Sequence, residues 1–147
     1  MILLDANVLL YAYDHSSPHH HAARNWLENT LSGAEHIGLA WMTLLAFVRV
    51  STSRRVLEHP LSISEAAAIV SAWLERPMVS LVNPGERHWE ILREVMTKGQ
   101  AQGPLIMDAH LAALAIEHGA KLASADRDFA RFPGLKLLNP LISANSG

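Results

Sequence analysis

The feature that most constrains the fold is the start of the chain, where a short apolar run ends abruptly at an aspartate. Ile2–Leu4 shows no polar alternation, which is typical of a strand buried on both faces. Asp5 follows directly, and apolar residues from Val8 onward recur at helical density. This pattern predicts an α/β fold, in which ligands bind at the carboxyl ends of the strands. Asp5 either caps the helix or takes part in chemistry, and both alternatives remain open on this stretch alone.

The rest of the chain continues this order of short apolar strands and amphipathic helices. Further strands are predicted at residues 37–39, 79–82, 121–124 and 135–138, with helical segments between most of them. Trp73 and Trp89 each lie on an apolar helical stripe and are predicted to be core residues. The order predicts an α/β protein built on a parallel sheet.

Length and composition limit the other possibilities. A chain of 147 residues is expected to form one domain, 1–147, with a loose tail from about residue 140. The absence of cysteine excludes disulfides and thiolate metal sites. The net charge of −2 gives the molecule no overall positive potential, so a nucleic acid would have to bind to a local cluster of basic residues. No apolar run reaches the roughly 18 residues of a membrane helix, so we expect a cytoplasmic protein without a membrane partner.

Three aspartates have the same predicted relation to the sheet. Asp5 and Asp126 end apolar strands, and Asp108 lies in the first turn of a helix. In a parallel sheet these positions meet at one edge, although an aspartate there can also serve only to stabilise a helix start. Oxygen ligands without histidine or cysteine favour Mg²⁺ or Mn²⁺ over zinc. A metal held by carboxylates suits phosphodiester hydrolysis.

The ordered motifs resemble those of PIN-domain ribonucleases, specifically the VapC-type toxins of type II toxin–antitoxin pairs. The matching segments are LLDANVLLYAYD near the start and DAHLAALAIEHGAKLASADRDFARFPGLK near the end. The resemblance implies a three-layer α/β/α sandwich with a central, mainly parallel sheet. It also implies a Mg²⁺-dependent endoribonuclease, with Mn²⁺ as a substitute ion, that cleaves RNA. The implied partners are a cognate VapB-type antitoxin and a second copy of the chain in a homodimer.

The resemblance also assigns site residues. The metal-binding and catalytic acids of the family correspond to Asp5, Asp108 and Asp126. Asn7 matches the small polar residue beside the first acid, and Asp128 is an additional, assisting acid.

One position departs from the family pattern. PIN domains carry a glutamate on the helix after the second strand, a few residues before an arginine. Here that position is Ala46, while the arginine is retained as Arg49, which is predicted to bind RNA. Arg54 and Arg55 are weaker candidates for the same role. Because alanine cannot bind a metal, the ion is expected to be held more weakly, unless Asp128 or a water replaces the missing ligand.

Two other functions compete with the nuclease. A phosphotransferase of the haloacid-dehalogenase type also begins with a strand that ends in aspartate, but it needs a second aspartate where this chain has Asn7. A non-catalytic PIN-fold binding module is the other alternative, and Ala46 is its main support. Metal binding separates this module from the nuclease.

Overall fold

A computed structural model describes residues 1–143, which contain five short strands and seven α-helices. The strands are β1 (Ile2–Leu4), β2 (Ile37–Leu39), β3 (Val79–Leu81), β4 (Lys121–Ala123) and β5 (Lys136–Leu138). The helices are α1 (Ala6–Tyr13), α2 (His20–Leu31), α3 (Trp41–Ser51), α4 (Ile63–Leu74), α5 (His88–Lys98), α6 (Leu105–Glu117) and α7 (Pro140–Ser143). A 3₁₀ helix spans Arg127–Arg131.

The five strands form one sheet in the order β3-β2-β1-β4-β5, and every neighbouring pair is parallel. β1 therefore lies between β2 and β4, with Leu4 opposite Ala123 in the register. Because the strands are parallel, the residues that follow β1 and β4 emerge side by side at the same edge. We call this edge of the sheet the carboxyl edge.

Helices cover both faces of the sheet, as the side-chain alternation of β1 requires. Ile2 and Leu4 pack into a core with α1, α2, α3 and α4, whereas Leu3 packs into a second core with α5 and α6. Leu3 and Leu4 are almost completely buried, and burying one such side chain is worth roughly 1.5–3 kcal/mol. The predicted three-layer α/β/α sandwich is confirmed.

The sequence explains where helix α4 begins and where helix α6 ends. Ser62 and Glu65 form a capping box before α4, with both reciprocal hydrogen bonds at 3.0 Å. Gly119 follows α6 with φ of +63°, a conformation that glycine adopts without steric cost. This turn delivers the chain directly into β4.

The prediction for one tryptophan is wrong. Trp73 is 3% exposed and belongs to the core, but Trp89 is 65% exposed. The buried side of α5 contains His88 and Val95, and Trp89, one position after His88, points away from that side.

The end of the described chain is partly packed. Leu141, in α7, lies against the core on the α1–α4 face of the sheet. Residues 144–147, which complete the predicted loose tail, lie outside the described residues. Within residues 1–143, no helix is long and apolar enough to cross a membrane.

Candidate metal centre

The three acids predicted to bind metal lie at or beside the carboxyl edge of the sheet. Asp5 directly follows β1, and its backbone N–H donates to the Ala123 carbonyl at the end of β4 (2.9 Å). Asp126 follows β4 by only two intervening residues and begins the 3₁₀ helix. Asp108 comes from the first turn of α6. The sheet and α6 thus bring together acids that are more than 100 residues apart in the chain.

Asp5 both caps a helix and takes part in the polar network at this edge. One carboxylate oxygen, Oδ1, accepts from the Ala6 N–H at 2.8 Å and caps α1. The other, Oδ2, accepts from the Ser124 hydroxyl at 2.7 Å. Burial raises the pKa of Asp5, and the hydrogen bonds from Ser124 and Ala6 oppose this rise without cancelling it.

Ser124 connects three of the surrounding polar groups. Its hydroxyl donates to Asp5 and accepts from the Asp126 N–H at 3.0 Å and from Asn7 Nδ2 at 3.3 Å. One donation and two acceptances use the full capacity of a hydroxyl. Asn7 Oδ1 in turn accepts from the Ala125 N–H at 3.4 Å. Asn7 therefore joins α1 to the segment after β4.

Asp108, Asp126 and Asp128 form an acidic cluster. Each offers one carboxylate oxygen, and these oxygens lie within 4.8 Å of one another. Asp126 Oδ1 accepts from the Asp128 N–H at 2.9 Å, which starts the 3₁₀ helix and fixes the relative position of the two residues. Asp108 and Asp126 are half-buried, whereas Asp128 is exposed. We call these three residues the Asp cluster.

The pKa of Asp108 is raised to about 6 by burial first, and then by repulsion from Asp126, Asp5 and Asp128. Arg131 opposes the rise. Asp5 is therefore within electrostatic reach of the Asp cluster, although the close grouping in residues 1–143 contains Asp128 and not Asp5. At neutral pH Asp108 is mainly a carboxylate that is repelled by its acidic neighbours, and a bound cation relieves this repulsion.

The raised pKa of Asp108 predicts a pH dependence for the metal-free protein. Because the folded-state pKa of Asp108 lies above its unfolded value, the folded state binds the extra proton between about pH 4 and pH 6. The contribution of Asp108 to stability therefore increases as the pH falls through 6 and is lost as the pH rises. Without metal, Asp108→Asn is expected to melt at a higher temperature than the parent at pH 7.5, and this advantage should shrink by pH 4.5. An equal difference at both pH values would contradict the raised pKa of Asp108.

The donor chemistry of these residues fits a hard divalent cation. Oxygens lie about 2.0–2.1 Å from a bound Mg²⁺ and about 2.3–2.6 Å from a bound Ca²⁺, so two ligands are at most about 4.2 Å apart around Mg²⁺ and about 5.2 Å apart around Ca²⁺. The carboxylate oxygens of the Asp cluster, within 4.8 Å of one another, lie close to this range. The structure brings the predicted acids Asp108 and Asp126 together, places Asp128 with them, and leaves Asp5 beside them, hydrogen bonded to Ser124. The assignment of Asp5, Asp108 and Asp126 as the ligand set remains a prediction.

Helix α3 carries Ala46, at the position where the family has a glutamate. Thr43 donates to the Leu4 carbonyl at 3.3 Å, immediately before Asp5, and Ala46 lies one turn further along α3. Ala46 and Arg49 line an open groove of about 550 Å³. Met107, the residue before Asp108, lines the same groove. The missing carboxylate thus corresponds to a position in a groove that adjoins the start of α6.

Two residues of the centre were not identified from the sequence. Ser124 was assigned only to the end of a strand, although a small polar residue two positions before an acid could have indicated its role. Nothing in the local sequence around Arg131 indicates that it acts electrostatically on Asp108.

Comparisons with known proteins agree with this geometry. Residues 2–135 match the family model described as PIN domain. Ribonuclease VapC37 of Mycobacterium tuberculosis (strain ATCC 25618 / H37Rv) is 46% identical over 140 residues, covering 95% of this chain and 97% of that protein. Ribonuclease VapC33 of the same strain is 42% identical over 141 residues, covering 96% and 99%.

Solved structures show the same fold. The crystal structure of VapBC2 from Rickettsia felis, bound to a DNA fragment from its promoter, contains a chain with a TM-score of 0.69 and 21% identity, covering 95% of this chain and 98% of that one. Mycobacterium tuberculosis VapC20, described as a sarcin–ricin loop cleaving toxin, has a TM-score of 0.66 and 16% identity, covering 92% and 99%.

Proposed function

The chain belongs to the PIN-domain family, and from this premise we propose that it is a metal-dependent endoribonuclease, the toxin of a toxin–antitoxin pair. The observation that carries the proposal is the Asp cluster, with its raised Asp108 pKa, at the carboxyl edge beside Asp5. The 46% identity to Ribonuclease VapC37 over nearly the whole chain supports the same activity.

Each acidic residue has a proposed part in the reaction. Asp108 and Asp126 hold the ion, with Asp5 as the third predicted ligand and Asp128 as an assisting acid. A bound divalent ion supplies an activated water and neutralises charge on the phosphoryl oxygens. Ser124 orients the Asp5 carboxylate through the 2.7 Å hydrogen bond, and Asn7 keeps Ser124 in place.

The proposed ion is Mg²⁺, with Mn²⁺ as a substitute. A site built from carboxylate oxygens suits both ions. Without the family glutamate, the site has one negative charge fewer to balance the ion. We therefore expect Mn²⁺ to support activity better than Mg²⁺.

The proposed partners are RNA as substrate, a VapB-type antitoxin that blocks the site, and a second copy of the chain. The antitoxin is supported by the VapBC complexes among the solved structures with this fold. The homodimer rests on the family resemblance, and the exposed apolar side chains Trp41 and Leu45 on α3 are surface that association could cover. A cytoplasmic location remains a prediction.

Cleavage of RNA under metal control tests the proposal. The purified chain is incubated with end-labelled RNA in EDTA, and then with Mg²⁺ or Mn²⁺ restored. We expect defined cleavage products only when metal is present. The matched control is an Asp108→Asn/Asp126→Asn double variant from the same preparation, which reveals any contaminating nuclease. No metal binding would contradict the site itself and favour the non-catalytic binding module, and metal binding without cleavage would contradict the ribonuclease activity.

Arg49 is expected to contact an RNA phosphate. It is exposed in the groove that adjoins the start of α6, and an acidic chain needs local cations to approach RNA. Arg49→Ala should reduce the slope of log affinity against log salt by about 0.7–0.9 for one lost contact. Binding is measured across a salt series in an inactive Asp126→Asn background. Arg93→Ala, an exposed charge deletion on the other face of the sheet, is the control, and a slope equal to the parent's would remove Arg49 from the interface.

Restoring the family carboxylate is expected to strengthen metal binding. Ala46→Glu adds a negative charge within the groove, and Mg²⁺ affinity should rise by about tenfold, which corresponds to roughly 1.4 kcal/mol. Calorimetry and melting temperature are recorded together, because a carboxylate that turns into the core would be costly. A folded Ala46→Glu protein with unchanged Mg²⁺ affinity would mean that position 46 does not face the metal.

A further inference from the structure

Arg131 connects the 3₁₀ helix after β4 with the loop that precedes α6, and the Asp cluster lies on this 3₁₀ helix and on α6. Arg131 ends the 3₁₀ helix that begins after Asp126 and contains Asp128. Its Nη1 donates to the carbonyl oxygens of Gly99 and Gln100, at 3.2 and 3.4 Å. These two residues begin the loop between α5 and α6, residues 99–104, which leads directly to Asp108.

The start of this loop packs closely against the ring of Phe132 at Gly99. A Cβ atom on Gly99 would lie 2.5 Å from Cδ1 of Phe132, so only glycine allows the backbone to sit against this ring. Phe132 is itself 3% exposed and follows Arg131 directly. Gln100 has φ of +51°, a left-handed conformation that non-glycine residues rarely adopt, so its surroundings must hold it there. The Schellman hydrogen bonds at the end of α5, from the Ala101 N–H to the Met96 carbonyl (3.0 Å) and from the Gln100 N–H to the Thr97 carbonyl (3.3 Å), hold this conformation. Arg131 adds its contact with the Gln100 carbonyl.

The restraint acts against electrostatic repulsion. Asp108 is repelled by Asp126 and Asp128, which lie on the other side of this connection, and Arg131 is the cation that offsets the repulsion at Asp108. If the loop were free, like charges would displace the first turn of α6, which precedes the buried stretch that begins at Ala109, from the 3₁₀ helix. The carboxylate oxygens would then no longer be pre-arranged within 4.8 Å of one another.

We propose that Arg131 is a positioning residue, which joins the α5–α6 loop to the 3₁₀ helix and thereby holds Asp108 at metal-binding distance from Asp126 and Asp128. This inference rests on the proposed function, because it assumes that the Asp cluster binds a divalent ion. Arg131 acts through the loop backbone and needs no contact with the metal or the RNA.

The sign of one measurement separates this role from a simple charge effect. Arg131 is positive and close to the cluster, so its removal should strengthen binding of a cation if charge alone matters. If Arg131 positions Asp108, its removal should weaken that binding, because the ligands lose their arrangement.

The experiment measures Mn²⁺ affinity by calorimetry, without RNA, together with the melting temperature. Arg131→Met, which keeps the apolar stem, should bind Mn²⁺ about tenfold more weakly, as expected when a residue that orients metal ligands is lost. Arg131→Lys keeps one donor and the charge, and it should recover part of the affinity. Arg127→Met removes an equal charge from the same 3₁₀ helix without removing the carbonyl contacts, and it should bind at least as tightly as the parent.

Equal or tighter Mn²⁺ binding by folded Arg131→Met would overturn the positioning role. If Arg131→Met does not fold, Arg131→Gln is the second neutral variant, because its shorter amide cannot span both carbonyls, and the same expectation applies. A parent protein that does not bind Mn²⁺ would contradict the proposed function itself and the positioning role with it. A parent that binds Mn²⁺ and cleaves RNA, with unaffected Arg131 variants, would contradict only the positioning role.

Discussion

Asparagine in place of Asp108 or Asp126 is expected to abolish RNA cleavage, with a loss in kcat/KM of at least about 100-fold. Loss of residues that only support metal ligands already costs about 10–100-fold, so loss of a ligand should cost more. Asparagine preserves the volume of the side chain and removes the charge that attracts the cation. The measurement is the cleavage rate at saturating Mn²⁺, with circular dichroism to establish that each variant is folded.

The remaining two acids extend this experiment. The sequence assigns Asp5 as the third ligand, whereas the structure groups Asp128 with Asp108 and Asp126. Comparing Asp5→Asn with Asp128→Asn in Mn²⁺ affinity identifies which of them holds the ion, and we expect the larger loss for Asp5→Asn. Glu94→Gln, an exposed acid on α5, is the control for charge alone. If the variants of Asp5, Asp108 and Asp126 all cleave at the parent rate with unchanged metal dependence, the assignment is wrong.

Ser124→Ala is expected to have the second largest effect, because it affects both the site and the fold. The variant removes the donor to Asp5 and leaves the Asp126 N–H and the Asn7 amide without their acceptor. Leaving a buried polar group unsatisfied costs about 1–3 kcal/mol of unfolding free energy, and because Asn7 and Asp126 are half-buried we expect the lower end of this range. Loss of an orienting partner should also reduce Mn²⁺ affinity and cleavage by about 10–100-fold. Urea denaturation and calorimetry on the same preparation measure the two effects.

A second serine variant controls for the loss of a serine hydroxyl outside the site. Ser80 lies in β3 and is exposed, so Ser80→Ala should change neither quantity. The pKa of Asp5 should rise further in Ser124→Ala, because the hydrogen bond from Ser124 lowers it in the parent. A Ser124→Ala protein that is less stable but binds Mn²⁺ as tightly as the parent would restrict Ser124 to a structural role.

The sequence by itself determined the strands, the class of fold and the edge at which the site lies. These features depend on local patterns: an apolar run such as Ile2–Leu4 followed by Asp5, or a helix closed by Gly119 before the next strand. A parallel sheet then places Asp5 and Asp126 at the same edge whatever the details of the packing, because their strands run in one direction. Asp5 caps α1 and also accepts a hydrogen bond from Ser124, so capping does not exclude a role in chemistry, which stays a prediction.

Only the tertiary structure decided which side chains meet at that edge. The grouping of Asp128 with Asp108 depends on how the 3₁₀ helix turns after β4, and the contacts of Arg131 with Gly99 and Gln100 join segments about 30 residues apart. Trp89 showed the same limit, since its position on an apolar stripe did not reveal which side of α5 faces the sheet. The physical reason is that periodicity reports the local conformation of the backbone. Contacts between distant segments are set by the packing of helices on the sheet and by the loops that connect them.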